Sequence, residues 1–486
     1  MTRVETDRKP AAVLAVAVVV WVGIYGTLTY LRHRYFGTFG FDLGIYDQGI
    51  WLLSQGSHDV ITVRGLPLLG HHLNLALVGY VPFYWLGAGP QFLNLTQAVS
   101  LGLGAVPVFL LARDRLGDAW AAVGLAVAYL AHPTTGFLQV ETFHPDTMAI
   151  LPLLVAWWAA HRKRWGWFFV AAGLAVAWKE DLALAVAVLG VVVALRGERR
   201  LGWGVAALAT GWFVAATGVV IPLLNGRGVF YGQFFGDLGD DPLQVGLTLL
   251  SDPTALLSRL TARDTLTYLW SISAPYGFTF LAGPAGTAVA LPQLVVNLIS
   301  EFPYTRDYRV HYSAVVLAGA TLGMVEGVGW LARRLGDRRL LALAVLYTAV
   351  ATTVQWGPLT LAPQHRVWPG RLPWSDALAE AVASIPPDGA VSATYLAVPH
   401  LTHRRLIYEF PNPWKVVNWG FRDELPPDPT PVRWLVVIPE LHGSEDRSLY
   451  EELRNARGAE VVFERDGVVV VHLGEPVSRQ DLGSIS

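Results

Sequence analysis

The chain has 486 residues, of which 53% are hydrophobic and 15% charged, and it contains no cysteine. A soluble protein carries about 25% charged residues, so these figures exclude a purely soluble globular enzyme, a disordered chain and a disulfide scaffold. The net charge of −2 leaves no electrostatic footprint for nucleic acid.

A membrane-spanning helix needs about 20 mostly apolar residues. Ala11 to Tyr30 is such a run, uncharged and preceded by Arg3, Arg8 and Lys9. It is too long for the core of a signal peptide and no A-x-A site follows, so it reads as a retained first helix. Basic loops set the orientation. Arg113/Arg115, Arg162-Lys163-Arg164, Arg196/Arg199/Arg200, Arg333-Arg334 and Arg338-Arg339 are placed inside with the N-terminus. About eleven spans then fit: 11–30, 92–112, 119–132, 147–161, 166–178, 182–196, 201–224, 264–282, 285–300, 311–332 and 340–357. An odd count puts the C-terminal part outside, with the loops 31–91, 133–146, 179–181, 225–263 and 301–310.

From Pro358 onward the chain has 12 Lys/Arg and 17 Asp/Glu, a denser charge than before it. This predicts a membrane domain over 1–357 and an extracytoplasmic soluble α/β domain over 358–486, joined by a Pro-rich connector at 358–373. In the latter, Trp374–Ile385 and Ser448–Ala456 have helical spacing. Ala390–Thr394, Leu406–Glu409, Arg433–Ile438, Ala459–Glu464 and Val468–His472 read as strands, the last two joined by an Asp-Gly turn.

The unusual polar residues fall in the outside loops. Asp42 and Asp47 stand just beyond the first helix, where a carboxylate can stay ionised yet partly desolvated, as a general base or metal ligand requires. His71 and His72 are adjacent, so their side chains diverge and at most one of them suits a given ligand. Glu141, His144 and Asp146 crowd six residues between apolar runs. Glu141 and His144 are spaced for joint metal coordination, and Asp146 can cap the helix after Pro145. Lys179-Glu180-Asp181 interrupts an apolar stretch and offers a lysine to an anion. Arg306, Arg309 and His311 lie among tyrosines in an anion-binding composition. His400, His403 and Arg404 make a polar loop in the tail. No nucleotide-binding loop, nucleophile elbow or zinc-protease motif is present.

Phe41-Asp42-Leu43-Gly44-Ile45-Tyr46-Asp47-Gln48, His71-His72, Phe143-His144-Pro145-Asp146, Lys179-Glu180-Asp181, His311-Tyr312, Val391-Ser392-Ala393-Thr394 and Pro399-His400-Leu401 resemble the DUF2079 family of bacterial membrane proteins. That family is grouped with the GT-C glycosyltransferases. The resemblance implies a polytopic helical fold with a first outside loop and a soluble outside domain. It also implies transfer of a sugar from a polyprenyl-phosphate carrier to an envelope glycan, lipid or protein. Asp42, Tyr46, Gly65-Leu66-Pro67 and Leu111-Ala112-Arg113-Asp114-Arg115-Leu116-Gly117 are similar to patterns of the lipid A aminoarabinose transferases. This similarity puts the catalytic aspartate on Asp42. The acid that follows it in those enzymes is Leu43 here, with Asp47 as its substitute, and His71-His72-Leu73-Asn74 replaces a Lys-Pro-Pro-Leu stretch.

The expectation is an inverting transfer at the outer face. Asp42 is the general base. Tyr46, His71, His72, Lys179, Arg306, Arg309 and His311 hold the substrate. A divalent ion (Mg, Mn or Ca) held by Asp47, Glu141, Asp146 or a histidine such as His144 is an alternative source of positive charge. The rival readings are a lipid or glycolipid transporter, disfavoured because the charges gather on one face without a repeat, and a non-catalytic scaffold or sensor.

Overall fold

A computed structural model describes residues 8–483 except 240, 241, 253, 255, 256, 258, 260, 261, 362–366, 368, 369 and 422. Much of the expected connector at 358–373 therefore lies outside the described residues.

Among the described residues, five helices are long and apolar enough to cross a membrane: Arg8–Arg34, Pro90–Leu116, Arg199–Asn225, His311–Leu335 and Arg338–Trp356. Ala119–Leu130 and Pro133–Glu141 make a sixth if the pair, bent by 44°, is one span. Leu75–Trp85, Trp165–Trp178, Leu182–Leu195 and Pro284–Ile299 are apolar but shorter. Val16, Val19, Leu208, Leu223 and Leu343 stay exposed on the outside of the bundle, a surface that lipid rather than water satisfies. The chain is a multi-pass membrane protein.

Among the described residues, helices of spanning length do not reach the expected count of about eleven. The run expected at 264–282 is a helix only over Arg263–Ser273, followed by tight turns at Ala274–Tyr276 and Thr279–Ala282. Pro275 lacks the N–H that would continue the helix, and Gly277 takes a left-handed conformation, φ +54°. The run expected at 147–161 is divided between Pro145–Met148 and Ile150–His161.

Small residues let neighbouring helices approach. Leu182–Leu195 packs on Arg199–Ala215 where Gly190 faces Gly202, and a Cβ on either would strike the other helix's backbone. In lipid, such contacts hold helices together by dispersion.

After the last long helix the chain builds a sheet. β1 (Val60–Ile61) and β2 (Leu66–Pro67) form a small ribbon in the first loop. β3 (Val391–Ala393), β4 (Ile407–Glu409), β5 (Trp434–Val437), β6 (Ala459–Arg465) and β7 (Val468–Leu473) follow, in the order β4-β3-β5-β7-β6. β3 runs parallel to β4 and β5, with Val391 opposite Ile407 and Trp434; β7 is antiparallel to β5 and β6. Asp466 and Gly467 both have positive φ, as the two-residue turn between β6 and β7 requires.

This sheet does not hang free. Thr62 bridges to the backbone of Ile407, accepting its N–H at 2.9 Å and donating to its carbonyl at 2.8 Å. Gln48 donates to the carbonyls of Arg404 and Arg405, and Gly40 N–H to that of Tyr395 at 2.9 Å. The first loop and the C-terminal segment thus meet at the end of the bundle that carries Asp42.

Candidate active site

Asp42 sits in a tight turn over Gly40–Gly44, between the first helix and the helix Ile45–Ser54. Its φ of +67° and ψ of −82° are those of a γ-turn, a strained conformation worth roughly 1–3 kcal/mol. Packing forces it: Gly40 is wedged against Val398 and Glu409, and Leu43 and Ile45 on either side are fully buried. The result aims one carboxylate into the bundle end. Its side chain keeps 31% of its exposure, and Oδ2 lies 3.3 Å from His144 Nε2.

His144 is presented by a break between the helices Pro133–Glu141 and Pro145–Met148. Thr142 at φ +105° and Pro145 end the helical ladder. A break leaves backbone donors unpaired, and these are costly in a bundle. Two amides of the helix Pro90–Leu103 satisfy them: Asn94 Oδ1 accepts Phe143 N–H at 3.1 Å, and Gln97 Oε1 accepts His144 N–H at 2.7 Å. The His144 ring is stacked on that of His311, centroids 3.9 Å apart, and His311 Nδ1 lies 2.9 Å from Glu141 Oε1.

Glu141, His144 and His311 form the one group among the described residues able to share a metal ion, their ligand atoms all within 4.8 Å. Glu141 Oε2 is buried without a hydrogen-bond partner, and His144 Nε2 meets Asp42 Oδ2 only at a long 3.3 Å. Burial alone would lower the His144 pKa, but Glu141 and Asp42 push it up to about 9. Burial would raise that of Asp42, and His144 and His311 hold it below the usual range. At neutral pH without a metal, an imidazolium therefore faces a carboxylate.

Asp146 does not join this group. It pairs with Lys179 at 3.0 Å, and Lys179 also lies 3.1 Å from Asp181. These acids hold the Lys179 pKa above its ordinary value against the effect of burial. Glu180 turns the other way, taking His72 Nδ1 at 2.8 Å and the Leu73 N–H at 3.0 Å. His71 stacks on Phe230 at 4.6 Å, and its Nδ1 has no partner. Tyr46 lies edge-on to Phe143 and His144.

Asp47 is fully buried and its two oxygens are occupied. Tyr84 donates at 2.5 Å to one, Thr402 at 2.5 Å to the other, and His403 Nε2 lies 3.2 Å away. Arg306 and Arg309 stand apart, Arg306 paired with Asp264 at 2.6 Å and Arg309 with Asp307 at 2.6 Å, along a surface cleft shared with Arg263 and Tyr308. Arg64, which no motif signalled, is buried beside the cluster.

The family model described as "Predicted membrane protein (DUF2079)" matches residues 32–470. The chain belongs to the DUF2079 family. No curated protein matches it. The fold is shared with ArnT from Cupriavidus metallidurans. The apo form is 17% identical at a TM-score of 0.53, covering 97% of this chain and 98% of that one. The undecaprenyl phosphate-bound form is 14% identical at 0.52, covering 98% of each. An oligosaccharyltransferase from Archaeoglobus fulgidus, complexed with Zn and sulfate, is 14% identical at 0.46, covering 91% of this DUF2079 chain and 70% of its own.

Proposed function

We propose that this chain is a membrane glycosyltransferase that moves a sugar from a polyprenyl-phosphate carrier to an acceptor at the outer face of the membrane. The observation that carries the reading is Asp42, an ionised carboxylate held in a strained turn, partly open to solvent and 3.3 Å from His144. Strain of that kind persists where a side chain must be aimed. In this reading residues 1–357 form the membrane domain, the N-terminus is cytoplasmic, and residues 358–486 form an extracytoplasmic α/β domain that covers the site.

Asp42 accepts the proton of the acceptor hydroxyl as that oxygen bonds to the sugar carbon and the carrier phosphate leaves. Its low pKa makes it a modest base, which suits a transfer whose leaving group departs early. His144 keeps it ionised and oriented. Asp47 has its oxygens occupied and anchors the C-terminal segment through Thr402 and His403.

The cluster fits a divalent ion, because Glu141 Oε2 is a buried atom without a partner and the ligand atoms of Glu141, His144 and His311 lie within 4.8 Å of one another. Glu141, His144 and His311 would hold it, with Asp42 beside them. Two imidazoles in the donor set suit manganese or zinc better than magnesium or calcium. Such an ion supplies positive charge to the carrier phosphate.

The test is the lipid that the purified protein carries, identified by mass spectrometry. A polyprenyl-phosphate sugar supports the reading; bulk phospholipid alone, with no polyprenyl phosphate taken up on addition, contradicts it.

A further inference from the structure

Arg64 is only 4% exposed, yet no carboxylate among the described residues lies within ion-pair distance of it. A buried guanidinium has five N–H donors to satisfy and is costly to leave without an anion. The protein meets part of that need. Nη1 donates to the carbonyls of Asn418 at 2.9 Å and Gly420 at 3.2 Å, and the Gly420 N–H returns a bond to the Arg64 carbonyl at 2.8 Å. Nε has no partner, and Nη2 makes no protein hydrogen bond among the described residues. The guanidinium lies over two rings, 4.8 Å from Phe230 and 5.6 Å from Phe41. Phe41 precedes Asp42, and the other side chain stacked on Phe230 is His71, whose Nδ1 is likewise buried without a partner.

The cations expected to meet an anion are committed elsewhere. Lys179 is shared between Asp146 and Asp181, Arg306 is paired with Asp264, and Arg309 with Asp307. Arg64 keeps free donors, and its planar fork matches a phosphate's oxygens.

We propose that Arg64, with His71 beside it on Phe230, seats the phosphate of the ligand, and that the C-terminal segment 418–420 holds Arg64 in place for that task. This rests on the reading of the chain as a polyprenyl-phosphate sugar transferase and adds to it the residue that reads the phosphate. It also gives the C-terminal segment a part in the site. Gly65, at φ +82°, lies so close under the Trp419 ring that no side chain fits between them. Anion binding and the seating of 418–420 are therefore coupled.

The experiment uses the full chain in nanodiscs and four probes: polyprenyl monophosphate, the uncharged polyprenol, dodecyl phosphate and inorganic phosphate. In the wild type, polyprenyl monophosphate slows amide hydrogen exchange at 60–66 and 417–421, and polyprenol does not. This arm needs no variant to fold. Arg64→Gln weakens polyprenyl monophosphate binding by about tenfold or more, the loss expected for a charged hydrogen-bond partner, and Arg64→Lys by less. Equal protection by inorganic phosphate alone would make the ligand a free phosphate rather than a lipid and overturn the lipid assignment. Wild-type affinity in a folded Arg64→Gln, or equal protection by polyprenol, overturns the role of Arg64 and leaves the transferase reading standing. Failure of the wild type to bind any of the phosphates overturns both.

Discussion

The two ends of the helical bundle hold their charges differently. At the basic end the paired carboxylates meet arginine or lysine, Glu198 taking Lys163 at 2.7 Å. Glu326 takes Arg115 at 2.5 Å and Arg196 at 3.4 Å, Asp114 takes Arg162 at 3.0 Å, and Asp118 takes Arg339 at 2.7 Å while capping the helix that begins at Ala119. At the other end Asp42, Glu141 and Glu180 meet histidines. Guanidinium stays charged at any accessible pH, so its pairs are fixed fasteners. Imidazole can give up its proton or take a metal near neutrality. The same residue classes thus make a clamp at one end and an adjustable site at the other.

The largest expected loss of stability is at Glu180. Removing the carboxylate leaves His72 and the Leu73 N–H without their buried acceptor, so Glu180→Ala should cost roughly 3 kcal/mol or more in denaturant unfolding. A loss below about 1 kcal/mol would mean that the pair is no tighter than a surface one. Next comes metal binding. His144→Gln should weaken Mn or Zn binding, read by calorimetry on the purified chain, by about a hundredfold. Glu326→Gln should leave it unchanged, and equal loss in both variants would erase the distinction between the ends. Glu326→Gln should lower stability by about 1–2 kcal/mol with transfer activity intact.

The smallest effect is a pH dependence with a definite sign. His144 is raised from its ordinary 6.5 to about 9 in the folded, metal-free protein. Its pairing with Asp42 therefore stabilises the fold fully below pH 6.5, and the contribution disappears as pH rises through 9. In metal-free protein the melting temperature of wild type should exceed that of Asp42→Asn at pH 6.5 and match it by pH 10. A gap that widens with pH would reverse the assignment of charge. The arginine pairs at the basic end should show no such trend.

Much of this site is legible in the sequence because polar residues in an apolar chain stand out. Asp42, Glu141, His144 and Lys179 are visible for that reason alone. Which of them pair is not visible. Glu141 meets His311, 170 positions later, and Asp146 meets Lys179, and local spacing says nothing about contacts of that range. Asp47 stands five residues from Asp42 and suggests a shared task, yet the helix Ile45–Ser54 turns it away toward Tyr84 and Thr402. Arg64 is a lone arginine in a loop, and the Gly65-Leu66-Pro67 pattern beside it does not include it. Its importance comes from burial and from the carbonyls of 418 and 420, which only the fold supplies. The long helices are readable from apolar runs, while the division of 264–282 turns on Pro275 and Gly277 within an otherwise apolar stretch.

The most direct test of the account is the release of polyprenyl phosphate from its sugar conjugate by the full chain in nanodiscs, followed in a single turnover for wild type and Asp42→Asn. The account predicts release by the wild type and a fall of at least about a hundredfold in a folded Asp42→Asn protein. Release by Asp42→Asn at the wild-type rate would contradict it.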